Sequence, residues 1–231
     1  MEGNEWSFCS MWTEDARLGC ARALINNRLD GDYFFNRSTV SGCDDPYAAA
    51  KHVAAKIYWQ KGFNCYLYDR EGLLENQGFP QIDTMYVLRS STVETTSDKT
   101  VIIADKLILS AWVDVFCTAF CVPDWMAEVE RIMRANLSKI TLLLSYKRNM
   151  PAGCAALYSR NGMTGLYCLG TIPQFRGTGL ATSILKNAAR ISENLFLQTL
   201  GSENLLTFYQ KAGFKVAYAK KIYILARPNM Y

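Results

Sequence analysis

The chain has 231 residues, 50% hydrophobic and 20% charged, with 25 Lys and Arg against 21 Asp and Glu for a formal charge of +4. This suits one large domain or two small ones with a sizeable core, and the mild charge, with no run of five basic residues, argues against a nucleic-acid footprint. No stretch of 18 uncharged apolar residues argues for a membrane span, and the acidic start Met1-Glu2-Gly3-Asn4-Glu5-Trp6 is unlike a signal peptide, so a cytoplasmic protein is expected.

In chain order, the spacing predicts helices over Glu14–Asn27 and Pro46–Trp59, and strands at Tyr33–Phe35, Asn64–Tyr68 and Thr84–Leu88. A short helix closed by Gly78-Phe79 is expected between the last two strands. Ser90–Asp98, rich in Ser and Thr, reads as a linker. Beyond it the elements are clearer. Thr100–Ile103 is a strand, Asp105–Phe120 an amphipathic helix, and Pro123 opens a second helix to about Ala135. Strands follow at Ile140–Tyr146, Gly153–Tyr158 and Gly165–Ile172, with turns at Asn149–Ala152 and Arg160–Met163, where Asn161-Gly162 is a strong hairpin signal. Then come a helix over Leu180–Ser192, a strand over Asn194–Leu200, a short helix over Asn204–Ala212 stopped by Gly213, and a pair of strands, Phe214–Tyr218 and Ile222–Arg227.

The three strands joined by short turns must be antiparallel, whereas the crossover through Leu180–Ser192 demands a parallel pair. The fold class is therefore α/β with a mixed sheet. Strand, short helix with Gly-Phe, strand occurs both at residues 64–88 and at residues 195–225, which reads as a weak internal repeat.

The eight cysteines are scattered, mostly in apolar runs, and His52 is the single histidine. A Cys/His metal site is not expected, and the thiols read as reduced, buried small hydrophobes.

The most telling stretch is Leu166-Tyr167-Cys168-Leu169-Gly170-Thr171-Ile172-Pro173-Gln174-Phe175-Arg176-Gly177-Thr178-Gly179-Leu180-Ala181. An apolar strand enters a glycine-bearing turn that opens a helix, which is how a backbone offers several N–H groups to a phosphate. Arg176-Gly177-Thr178-Gly179-Leu180-Ala181 resembles the R/Q-x-x-G-x-G/A loop of the GNAT acyl-CoA N-acyltransferase superfamily. Phe208-Tyr209-Gln210-Lys211-Ala212-Gly213-Phe214 is similar to that family's L-Y-x-K-x-G-F segment. The resemblance covers about residues 100–227. It implies a GNAT catalytic domain over residues 96–231, preceded over residues 1–95 by a partial, degenerate GNAT-like domain that lacks the phosphate loop.

The resemblance further implies acetyl-CoA or another acyl-CoA as co-substrate and no metal. The pantetheine arm would pair with the backbone of Leu169, Gly170 and Thr171. Arg176, Gly177, Thr178, Gly179, Leu180, Ala181 and Thr182 would form the pyrophosphate loop, and Ser202 would stand where many members carry an Asn that contacts the cofactor. Tyr209 would protonate the leaving thiolate, a role open to a phenol with an ordinary pKa of about 10. No carboxylate lies on the strands flanking the cleft. Glu203 is as readily a helix-start charge, Asn204 reads first as a helix-start residue, and a water chain to solvent is the preferred proton path over Cys168 acting as an acylated nucleophile. The acceptor side is expected at Phe116, Phe120, Trp125 and Tyr158, an aromatic surface suited to a small-molecule primary amine. Acylation of a protein or peptide amine and a non-catalytic acyl-CoA-binding module are the alternatives. No nucleic-acid or membrane partner is expected, and a homodimer is left open.

Overall fold

The computed structural model describes residues 1–29, 31–91, 93 and 100–228. The helices are α1 (Glu2–Cys9), α2 (Pro46–Val53), α3 (Leu109–Phe120), α4 (Met126–Asn136), α5 (Leu180–Ile191) and α6 (Leu206–Lys211). The strands are β1 (Glu14–Leu18), β2 (Ala21–Ile25), β3 (Arg37–Val40), β4 (Cys65–Asp69), β5 (Gln81–Ser90), β6 (Val101–Ala104), β7 (Ile140–Lys147), β8 (Met150–Arg160), β9 (Met163–Thr171), β10 (Leu195–Leu200) and β11 (Phe214–Leu225). They fall into two compact units that interleave in sequence. Unit 1 holds residues 1–8, 87–198 and 205–217; unit 2 holds residues 9–86, 199–204 and 218–231. Most of the Ser90–Asp98 segment, including the expected domain boundary at 95/96, lies outside the described residues.

In unit 1, β6, β7, β8 and β9 are successive antiparallel neighbours, and β9 pairs in parallel with β10. The mixed sheet expected from the crossover is thus present. The hairpin turns carry positive φ at Arg148 and Asn149 (50° and 62°) and at Asn161 and Gly162 (50° and 71°). Two consecutive positive φ values are what a two-residue turn needs to match strand twist. The first turn falls earlier than expected, so β8 already starts at Met150. Helix α3 begins at Leu109 rather than Asp105, because the Asp105 carboxylate accepts the amides of Leu107 and Ile108 and holds them in a non-helical turn. The Trp112 indole N–H donates to the Ala155 carbonyl at 3.1 Å and fixes α3 on β8. Helix α5 covers the opposite face, where Ile184 lies 3.3 Å from the Cβ position of Gly153.

Unit 2 departs more from expectation. Glu14–Asn27 is a hairpin, β1 and β2, turning at Gly19-Cys20. Its Ala, Arg and Leu favour helix locally, but β2 is buried against β3, which overrides propensity. Tyr33–Phe35 is a turn rather than a strand, with the Asp32 carboxylate accepting the amides of Phe34 and Phe35. The expected short helix before Gly78 is a run of turns, because the Asp69 carboxylate accepts the amides of Glu71, Gly72, Leu73 and Leu74. The repeat therefore matches in its strands and not in its middle element. The last two expected strands are one, β11, which pairs antiparallel with β4 from Lys221↔Asp69 to Leu225↔Cys65. Ala219-Lys220-Lys221 carries no turn-forming residue, and Lys220 is buried within the strand.

Two cysteines are not free. Cys20 and Cys43 form a disulfide with a Cα–Cα distance of 5.5 Å. The antiparallel pairing of β2 with β3, Ala21 opposite Val40, brings the chain just before β2 and just after β3 to the same end of the sheet. Sequence spacing alone cannot show that adjacency. Cys9, Cys65, Cys117 and Cys154 are buried thiols, as expected.

Candidate acyl-CoA site

The site begins where β9 and β10 part. Their pairing runs from Leu195↔Thr164 to Leu197↔Leu166, while β9 continues to Thr171 and β10 to Leu200. On its other edge β9 stays bonded to β8, but the register shifts between Cys154 and Ala156. Opposite that shift Cys168 has φ 55°, so β9 carries a bulge. A bulge bends the strand that carries it and redirects its edge. Leu169, Gly170 and Thr171 follow, on the stretch of β9 past the last β10 partner. A strand edge of this kind is a template for an extended ligand with amide groups.

Gly170 is required there by close approach. A Cβ on it would lie 2.8 Å from the Ala119 Cβ and 2.9 Å from Phe120 Cε2, so the end of α3 sits directly on the strand. The Ile172 amide donates to the Ala152 carbonyl at 3.0 Å, and one 3-10 turn over Pro173–Phe175 leads into the loop.

In the loop, Gly177 and Gly179 have φ of 76° and 89°, and a Cβ on either would meet nothing within 4 Å. Their need for glycine is thus conformational, and the space above them is open to a ligand. Thr178 steadies the loop by donating its hydroxyl to the Phe175 carbonyl at 2.7 Å. Gly179 caps α5, its carbonyl accepting the Ser183 amide at 3.0 Å. The amides of Leu180, Ala181 and Thr182 precede the first intrahelical bond, and the first turn carries no acidic side chain. Amides at a helix start, with the positive end of the helix dipole, suit a pyrophosphate.

Arg176 acts as a brace. Its Nε donates to the Thr171 carbonyl at 3.2 Å and a terminal nitrogen donates to the Ala119 carbonyl at 2.9 Å. It thereby ties the loop to the C-terminal end of α3, a position that favours a cation.

Tyr209 lies on α6 and is 5% exposed, its ring edge-on to Phe208 and Phe214 at 5.1 and 6.4 Å. Asn204 does not start that helix; it is left-handed at φ 56°, and α6 begins two residues later. Ser202 belongs to unit 2, where its hydroxyl donates to Asp83 at 2.6 Å and its amide to the same carboxylate at 3.2 Å. Burial pushes the Asp83 carboxyl up. Bonds from Ser202, the Thr84 amide and the Tyr33 hydroxyl outweigh it and hold Asp83 below its ordinary value. Burial, reinforced by the Asp83 charge, raises the Tyr33 hydroxyl. This Asp83–Ser202–Tyr33 group was not legible in the sequence; the small Gly201, whose Cβ would be 3.1 Å from Asp83, is its faint trace. Glu203 is occupied as a cap, accepting the Thr199 hydroxyl at 2.9 Å and the Leu200 amide at 3.2 Å.

Of the expected acceptor residues, Phe120 is 42% exposed and lies against Gly170. Phe116 is buried, stacked on Trp112 and tilted against Phe120, so it supports that ring from beneath. Trp125 is half-buried at the end of a 3-10 turn before α4. Tyr158 is not brought to this end of the sheet. It pairs with Gly165, six residues before Thr171, which is about 20 Å away at strand rise. Its ring neighbours Phe8, and its carbonyl accepts from Asn4 of α1.

Among the described residues no group of three or more His, Cys, Asp or Glu could hold a metal, and no helix is long and apolar enough to cross a membrane.

The sequence model of the GNAT acetyltransferase domain matches residues 139–216, from β7 into β11. No curated protein matches the chain. Among solved structures, a functionally unknown conserved protein from Staphylococcus epidermidis is similar with a TM-score of 0.69 at 14% identity, covering 94% of this chain and 95% of that one. A GCN5-related N-acetyltransferase from Kribbella flavida gives a TM-score of 0.69 at 13% identity, covering 96% and 93%. An acetyltransferase of the GNAT family from Colwellia psychrerythraea gives 0.55 at 14%, covering 97% and 89%. At such identities the structural likeness speaks for the fold. The family match itself is confined to residues 139–216, which resemble a GNAT acetyltransferase domain and include β9, the glycine loop, α5 and Tyr209.

Proposed function

We propose that this protein is an N-acetyltransferase that moves an acetyl group from acetyl-CoA to a primary amine of a small molecule. The observation that carries the reading is the parting of β9 from β10 beside a glycine loop that opens α5, whose Leu180, Ala181 and Thr182 amides precede the first intrahelical bond. The β9 edge at Leu169, Gly170 and Thr171 would hold the pantetheine arm as an added strand. Amides from Gly177 to Thr182 would hold the pyrophosphate, with Arg176 keeping the loop in place. When bound, the co-substrate supplies the thioester. The amine nitrogen attacks its carbonyl carbon directly, the N–C bond forms and the C–S bond breaks. Tyr209 gives its phenolic proton to the leaving sulfur, and the proton lost by the amine passes through water to solvent and back to the phenolate. The apolar, aromatic end of α3 around Phe120 favours a modest-sized amine over a highly charged chain.

Calorimetry with CoA, followed by acetyl-CoA turnover against a panel of small amines, tests the proposal. It expects micromolar binding and turnover of at least one amine. Absence of CoA binding removes the reading. Binding without turnover, and indifference of the protein to Tyr209→Phe, would make it an acyl-CoA-binding module instead.

A further inference from the structure

Gln198 stands immediately beyond the last β9–β10 pair, Leu197↔Leu166. Strand alternation puts it on the face of Phe196, whose ring meets Tyr167 edge-on at 6.1 Å. Tyr167 pairs with Ala156 and Gly170 with Cys154, two residues apart on β8, so Tyr167 and Gly170 share that face. It is the face on which α3 rests, since the Cβ position of Gly170 meets Ala119 and Phe120. Both polar atoms of the Gln198 side chain, Oε1 and Nε2, are buried and have no hydrogen-bond partner among the described residues. Native proteins leave few buried polar atoms unpaired, and an amide orphaned at both ends calls for an explanation.

The position supplies one. A pantetheine arm on the β9 edge would lie in the plane of the sheet and use backbone groups. Side chains stand roughly perpendicular to that plane, so Gln198 faces what lies above it on the α3 side. The side chains that share this face of the sheet next to it are the aromatic Phe196 and Tyr167, and its own group is neutral, so an ionised partner would be poorly compensated there. A neutral group offering one acceptor and one donor answers both orphaned atoms.

We propose that Gln198 is the polar anchor of the acceptor, and that the acceptor is an amine bearing a neutral carboxamide or peptide-like amide. Nε2 donates to the carbonyl oxygen of that amide and Oε1 accepts its N–H, leaving the amine free to reach the thioester. The proposal rests on the acetyltransferase reading and adds the substrate class.

The test uses the full chain with acetyl-CoA and three matched amines: phenylalaninamide, phenethylamine and phenylalanine. The variants are Gln198→Met, similar in size but without the amide, and Gln198→Asn. In the unmodified protein, phenylalaninamide should exceed the other two in kcat/KM by at least 10-fold, through KM. In Gln198→Met that preference should collapse towards unity, CoA affinity by calorimetry should stay the same, and the free protein should melt at a higher temperature because its orphaned amide is gone. Gln198→Asn should retain part of the preference. Equal use of phenylalaninamide and phenethylamine, an unchanged preference in Gln198→Met, or no turnover despite bound CoA overturns the proposal and leaves the cofactor site standing. A Gln198→Met protein that binds CoA more weakly assigns the amide to the cofactor arm, and one that melts lower or fails to fold shows an internal partner; each overturns it too. If the unmodified protein binds no CoA, the acetyltransferase reading falls first and takes this proposal with it.

Discussion

The guanidinium of Arg176 donates to the main-chain carbonyl of Ala119 at 2.9 Å, across 57 residues of sequence. The same side chain holds the Thr171 carbonyl at the end of β9. Loop, strand end and helix end are therefore fixed by one side chain.

Arg176→Ala should cost about 1–2 kcal/mol of stability, the worth of a charge-assisted bond in a part-buried place. It should also weaken CoA binding about 10-fold by releasing the loop. Arg176→Lys should recover little, since a point charge cannot span two carbonyls in a fixed fork. Urea titration and calorimetry check both effects.

Gly170→Ala and Gly177→Ala should separate two reasons for glycine. At Gly170 the new Cβ would collide with Ala119 and Phe120, so α3 must shift from β9; about 1–3 kcal/mol should be lost, along with CoA affinity. At Gly177 there is space but a positive φ, so a smaller loss of about 1 kcal/mol is expected. Equal losses at both sites would contradict the close contact at Gly170.

Tyr209→Phe keeps the buried ring and removes the hydroxyl. Acetyl transfer should fall about 100-fold or more in kcat, with CoA affinity unchanged. A rate within a factor of three of the unmodified protein would exclude the phenol as the proton donor.

The Cys20–Cys43 disulfide closes a loop of sequence separation 23. On chain-entropy grounds its removal in a Cys20→Ser, Cys43→Ser double variant should cost about 3 kcal/mol. Thiol titration of the unfolded chain before and after reduction counts the bond directly, and a loss under 1 kcal/mol would show that native contacts already fix this end of β2 and β3.

Stability should fall in alkali. Burial pushes the Cys65 thiol up to about 12, and burial with the Asp114 charge pushes Cys117 up to about 11. Both stay protonated in the native protein while their unfolded counterparts ionise near 9. Their stabilising contribution is thus whole below pH 9 and is lost as pH rises through 11 to 12. Urea midpoints at pH 8, 9 and 10 measure the decline, and Cys65→Ala should flatten it.

Much of unit 1 was legible because its signals are local. Asn161-Gly162 announces a turn, and glycines before an amphipathic run announce a loop and helix. A crossover helix of ordinary length forces the β9–β10 pair to be parallel. Unit 2 was less legible because single carboxylates decide it. Asp32 gathers two amides and Asp69 four, which converts an expected strand and an expected helix into turns. Glu14–Asn27 reads as helix until β3 buries β2.

The sequence by itself determined the mixed sheet, the loop before α5 and the placing of Tyr209 on a short helix, since each follows from periodicity, turn chemistry or motif within a few residues. Only the tertiary structure decided that Arg176 braces α3, that Tyr158 lies far along β8, that Cys20 meets Cys43, and that the Gln198 amide is buried with no hydrogen-bond partner among the described residues. These depend on which strands become neighbours and on where a bulge at Cys168 turns one of them aside. Distances across a fold are set by packing between distant segments, and no local pattern of residues encodes them.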